Sequence, residues 1–169
     1  LPARLTTEIV RALEAGAVQV EAEEGEAQIT AGRSQFAVRL IPADEFPKLP
    51  EPAAEATTLS AAAFAEALRQ VVPAASSDDS RPILTGVLLA AEEEGLRLVA
   101  TDSYRLAIRD LPGTSILEQG QSVLVPSRAL AELAKVLGSV EEISLRLGER
   151  DASFELDGVS LTTRLIEGE

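Results

Sequence analysis

Three stretches of this chain set acids and bases at matching offsets. Arg128, Glu132 and Lys135 stand in VPSRALAELAKVLG (125–138); 124 positions earlier stand Arg4, Glu8 and Arg11, and 66 positions earlier stand Ala62, Glu66 and Arg69. In each stretch aliphatic residues recur at helical spacing on the side opposite the charges. Cations displayed on the solvent side of a helix attract phosphate through charge alone and carry no sequence readout. The same charges also serve as the solvated side of an amphipathic helix, with acid and base paired one turn apart. Both readings stand for any single residue, and the threefold recurrence favours the functional one.

Other chemistry is thinly provided for. The chain has no histidine and no cysteine, which removes the commonest general base and metal ligand, thiolate metal sites and disulfides. The acidic runs EEGE, EEEG and SSDDS (76–80) lack calcium-loop spacing and read as solvated turns. Glycine-rich phosphate cradles and serine nucleophile motifs are missing, so neither a metal nor a cofactor is expected. Asp102 with Tyr104 or Arg105 is the remaining catalytic candidate, and a raised carboxylate pKa in an enclosed cleft is what it would require. A net charge of −13 argues against a surface that is basic throughout, though not against one basic face on an acidic body. With no apolar run near the roughly 18 residues of a membrane span, the protein is expected to be soluble and cytoplasmic. The sequence contains no methionine, and a fragment of a longer chain is expected.

The elements that must position these charges follow from hydrophobic periodicity. Residues 2–15 predict a helix with Leu5, Ile9 and Leu13 on one face and Gly16 as a left-handed stop. Alternation around Val18 and Val20, then AQITA and SQFAVRLI, predicts a three-stranded meander. Four prolines between Pro42 and Pro52 permit neither helix nor central strand, and a linker is expected there, continuing through AAEAT (53–57). Ser60 reads as the N-cap of a second helix, stapled by Leu59 and Phe64 and ended by Pro73. After the loop AASSDDSRP, strands are predicted in PILTGVLLA, LRLVATD and YRLAIRDL, the first continuously apolar as in a buried strand. SVLVP is a short strand leading into the third helix, which Gly138 stops. EEISLRL, ASFEL and VSLTTRLI complete a second meander.

The strands repeat as the helices do. Ala27, Arg39, Leu40 and Ile41 match Ala152, Arg164, Leu165 and Ile166 at an offset of 125, and Asp102 and Arg109 match Asp157 and Arg164 at an offset of 55. The repeating unit is one helix plus about three antiparallel strands, an α+β class, and two units make a domain. Residues 1–55 then hold the second unit of one domain plus its linker, and residues 56–169 hold a complete domain.

At this point the sequence resembles a known family, the bacterial beta sliding clamps, which are the beta subunits of DNA polymerase III. SRPILTGVLL (80–89) and LRLVATDSYRLA (96–107) are similar to the signature of the second clamp domain, and LPARL, GRSQF and ADEFPKLP to the later half of the first. The resemblance implies a DNA clamp fold, with helices on one face and sheets on the other, built into a homodimeric ring around double-stranded DNA. It implies no catalysis. Partners would be polymerase III subunits, the clamp loader and other clamp-motif proteins, docking short peptides into an outer groove. Carried over residue by residue, the groove would include Leu84, Thr101, Ser103, Tyr104, Arg105 and Leu106. Ser103 and Tyr104 stand where many members carry glycine and histidine. The DNA-facing cations would be Arg4, Arg11, Arg69, Arg128 and Lys135, with Arg81 reaching in from a loop. The competing reading is a tandem-repeat interaction module whose helix charges only keep it soluble. For the groove residues the plain alternative is that Leu84 and Leu106 are ordinary core residues and TDS (101–103) is a strand-end turn.

Overall fold

The computed structural model describes residues 1–45 and 55–167, which fall into two compact units, one on each side of the gap. Most of the proline-rich linker lies outside the described residues. Its first part, Ala43–Glu45, forms a single 3-10 turn where no helix was expected. Such a turn needs only one hydrogen bond, here from Glu45 N–H to the Pro42 carbonyl, and Pro42 itself donates nothing to it.

The first unit is helix α1 (Ala3–Ala12) on a meander of β1 (Gln19–Glu23), β2 (Glu26–Ala31) and β3 (Ser34–Arg39), ordered β1-β2-β3 and antiparallel throughout. Ile9 packs with Ile29 and Val38, with Leu13 against them. The helix ends earlier than the sequence predicts. Leu13 is already extended, and its N–H bonds back to Val10, so Gly16 lies beyond the cap and does not stop the helix. Every residue of β1 is exposed, so the alternation at Val18 and Val20 reflects strand geometry and not burial.

The second unit contains β4 (Thr57–Ser60), α2 (Ala61–Val71), β5 (Gly86–Glu92), β6 (Gly95–Thr101) and β7 (Leu106–Pro112), then β8 (Ser122–Pro126), α3 (Ser127–Val136), β9 (Glu142–Leu147), β10 (Asp151–Leu156) and β11 (Val159–Arg164). Strand, helix and three-stranded meander occur twice. Two four-stranded antiparallel sheets result, ordered β7-β6-β5-β8 and β11-β10-β9-β4. The leading strands are exchanged: β4 pairs with β9 through Leu59 and Ile143, and β8 pairs with β5 through Val125 and Val87. Each repeat thus completes the other's sheet, and neither closes its own edge.

Equivalent helix positions, 66 residues apart, are buried alike: Phe64 with Leu130, Ala67 with Leu133, and Val71 with Leu137. The Phe64 and Phe154 rings stack 6.3 Å apart and tie α2 to β10 in one core shared by both repeats. Truncating either ring to alanine costs about 3–5 kcal/mol.

The structure corrects four expectations in this unit. Thr57, assigned to the linker, opens β4. Its counterpart is the SVLVP strand 66 residues on, but β4 itself is only four residues long. Pro82–Thr85 is a 3-10 turn, because Pro82 cannot donate to a ladder, and β5 starts at Gly86. Tyr104 and Arg105 precede β7 in a turn that Asp102 organises. Gly138 sits within a 3-10 extension of α3, Leu137–Ser139, and takes no left-handed conformation. The Ser60 cap does form, its hydroxyl accepting from Ala63 N–H, and Leu59 and Phe64 are both buried. The hairpin turn at Asp157–Gly158 has positive φ at both residues, as a type I′ turn requires.

Candidate nucleic-acid face and docking groove

Within the second unit α2 and α3 pack against each other over the common core and leave their charged sides in solvent. Arg69 and Lys135 occupy equivalent positions, each in the last turn of its helix, where a cation also complements the helix dipole. Both are ion-paired one turn back: Arg69 with Glu66, and Lys135 Nζ with Glu132 at 2.7 Å. Arg128, at the start of α3, is 79% exposed and pairs with Asp79 at 3.4 Å. Arg81 pairs with Asp78 at 3.1 Å and also reaches Ser103 Oγ at 3.4 Å. Hydrogen bonds from the Ser80 hydroxyl and backbone N–H, and then from Arg81, hold the Asp78 carboxyl below its usual range. On α1, in the other unit, Arg4 pairs with Glu8 at 3.1 Å, and Arg11 lies in the last turn.

The stretch 101–105 is a tight knot. Asp102 Oδ1 accepts from the backbone N–H groups of Tyr104 and Arg105, each at 3.0 Å, and Oδ2 accepts from Arg105 Nε at 3.0 Å. Those two backbone bonds, with the Arg105 side chain behind them, hold the Asp102 carboxyl below its ordinary value of 3.8. That is the opposite of what a general acid at this position requires. Arg105 also donates to the Pro73 carbonyl just after α2, so its guanidinium is engaged on two sides. Thr101 Oγ1 accepts from Ser103 N–H and donates to the Arg105 carbonyl. Ser103 is forced to φ +80°, a left-handed conformation that favours glycine. Tyr104 projects from the knot and is 93% exposed.

Beside the knot runs a groove of about 810 Å³ on the face of the β7-β6-β5-β8 sheet that points away from the core. Its floor follows from register: Val99 on β6 sits opposite Leu88 on β5, and Leu88 opposite Leu124 on β8. Ile83, Leu84 and Ile166 form its walls, with Glu149, Arg150 and Glu167 at the rim. Ile166 N–H bonds to the Leu124 carbonyl at 2.8 Å and brings the segment after β11 against β8.

Of the six residues assigned to a groove by resemblance, Leu84 and Thr101 line this one, while Ser103, Tyr104, Arg105 and Leu106 do not. Leu106 is 61% exposed on the edge strand β7, which rules out a core role for it. Gly86, Leu88, Val99, Leu124 and Ile166 were not picked out from the sequence. For Gly86 and Leu88 the signal was the unbroken apolar run GVLLA, which serves the core with one face and the groove with the other; Val99, Leu124 and Ile166 come from three other segments.

A duplicated α+β domain, with paired cations on its helices and an aliphatic groove on one sheet, is the architecture of a clamp-type scaffold. The profile for the DNA polymerase III beta subunit central domain matches residues 58–169, and that for the N-terminal domain matches residues 1–50. The chain belongs to the DNA polymerase III beta subunit family. It is 38% identical to the beta sliding clamp of Micrococcus luteus over 98% of this chain and 54% of that protein. It is 35% identical to the beta sliding clamp of Streptomyces coelicolor over 98% of this chain and 46% of that protein. The DNA polymerase sliding clamp of Bacillus subtilis superposes with a TM-score of 0.84 at 31% identity, covering 100% of this chain and 45% of that one. A Pseudomonas aeruginosa sliding clamp bound to griselimycin gives 0.85 at 27% identity, covering 100% of this chain and 47% of that one. The chain therefore spans about half the length of the relatives it matches.

Proposed function

We propose that this chain is part of a replication clamp that encircles double-stranded DNA and tethers polymerase III subunits, the clamp loader and other clamp-motif proteins. Residues 1–55 supply the later half of a first clamp domain with its linker, and residues 56–169 the central domain. The observation that carries the reading is the recurrence of Glu66 and Arg69 as Glu132 and Lys135 on helices that pack over one core. Helices related in this way present their cations to a common side once repeats are arranged about an axis. Arg4, Arg11, Arg81 and Arg128 add to that lining. The duplex would be held through phosphates alone and remain free to slide.

The groove over Leu84, Leu88, Val99 and Thr101 accepts the apolar anchor of a clamp-docking peptide. Ser103, Tyr104, Arg105 and Leu106 border its approach. Catalysis has no part in this function, a cytoplasmic location fits it, and the ring would be a homodimer of the longer chain. Reversing Arg69, Arg128 and Lys135 to glutamate in that ring tests the reading. Loading and sliding should weaken, and the salt dependence of DNA association should become shallower by up to about 0.9 in log–log slope per lost phosphate contact. Unchanged loading and salt dependence would leave the tandem-repeat interaction module as the better account.

A further inference from the structure

All three cations of the second unit's helices, Arg69, Arg128 and Lys135, are already bound to carboxylates. Two of the pairs, Glu66 with Arg69 and Glu132 with Lys135, sit at equivalent positions of α2 and α3, so the pairing is duplicated along with the cation. The third shows that pairing is not just a by-product of helical spacing. Arg128 has alanine, Ala62, at its equivalent position in α2, and its carboxylate comes from outside the helix, from Asp79 in the loop before β5. That loop is held in place by its own bonds, from Asp78 N–H to Ser76 Oγ at 3.1 Å and from Ser76 N–H to the Leu84 carbonyl at 2.8 Å.

We infer that Glu66, Asp79 and Glu132 are built-in competitors for DNA phosphate, which keep the helix cations from gripping the duplex. The inference rests on the clamp reading above. A phosphate reaching Arg69, Arg128 or Lys135 replaces a carboxylate and not merely water and a counterion, so it gains only the difference between two ion pairs. Exposed pairs of this kind are weak enough to be displaced and strong enough to re-form. Each contact with the duplex is therefore short-lived, and a vacated cation returns to its own acid without waiting for an ion from solution. A ring that must stay on the DNA by topology gains from this, because attraction to any one phosphate would only slow its passage to the next.

The test uses the full-length ring loaded on duplex DNA, carrying Glu66→Gln, Asp79→Asn and Glu132→Gln together. The control carries Glu93→Gln, Glu94→Gln and Glu118→Gln, which remove the same charge from loops at strand ends. Single-molecule tracking should find the first variant diffusing along DNA about tenfold more slowly than the control. Its DNA association should depend more steeply on salt, by up to about 0.9 in slope for each freed cation. Equal diffusion and equal slopes in the two variants would overturn the inference. If reversal of the three cations still impairs loading in that case, the clamp reading survives alone; if reversal also has no effect, the clamp reading fails with it.

Discussion

Gly86 opens β5 at a point where Leu124 in the groove floor and Ile166 in its wall leave no room for a side chain. A methyl group built there lies 2.6 and 2.8 Å from Leu124 Cγ and Cδ1 and 2.9 Å from Ile166 Cδ1. Carbon atoms do not approach so closely, so Gly86→Ala must displace both side chains, and both line the groove. The displacement also loads the 2.8 Å bond that joins Ile166 N–H to the Leu124 carbonyl. Overpacking of this kind costs about 1–3 kcal/mol. Whatever is relieved by swinging Leu124 and Ile166 outward narrows the groove, and whatever is not relieved appears as lost stability. A clamp-docking peptide bound at micromolar affinity has about −8 kcal/mol to draw on, so a loss of about 1.4 kcal/mol lowers affinity about tenfold. Fluorescence polarisation of a labelled peptide against the full-length chain, with calorimetry on the same samples, measures both effects. Gly138→Ala is the control, since its added carbon meets nothing within 4 Å. Gly86→Ala with both peptide affinity and Tm equal to those of the control would refute the reasoning.

Ser103→Gly should stabilise the second unit by about 0.5–1 kcal/mol, the left-handed strain of about 1–2 kcal/mol less the greater freedom of unfolded glycine; urea denaturation checks the sign. Because Asp102 is ionised more readily in the folded protein than its ordinary value of 3.8 implies, its contribution is complete above that pH and lost as pH falls through the lower folded value. Tyr104 is the only tyrosine and there is no tryptophan, so its fluorescence reports this knot alone. The signal should stay level from neutral pH down to about 4 and change below it, and Asp102→Asn should abolish that acid transition. Leu84→Asp should cut peptide binding by at least tenfold, because the groove would then bury a carboxylate without a partner, while Glu93→Ala should leave titration curves unchanged.

The helices and most meander strands were legible because they carry a periodicity that burial enforces, as at Phe64, Leu130 and Leu133, whereas β1 shows its alternation at Val18 and Val20 without burial. What was harder to read depended on partners distant in sequence. Thr57–Ser60 is too short to show alternation and is a strand only because β9 takes it. PILT looks like strand sequence, yet Pro82 starts a 3-10 turn that sets Leu84 against the groove. The cations could be placed on helix faces from spacing, but the Asp79 partner of Arg128 lies 49 residues away and no periodicity points to it. Groove residues Leu88, Val99 and Leu124 were concealed by their neighbours Val87, Leu89 and Leu98. An apolar run looks the same whether its second face meets a core or a ligand.

Topology distinguishes a clamp from any protein that merely adheres to DNA. The full-length chain, loaded onto nicked circular duplex and washed in high salt, should remain bound until the circle is cut and then slide off the free ends. Equal loss from circular and linear duplex under that wash would contradict the account.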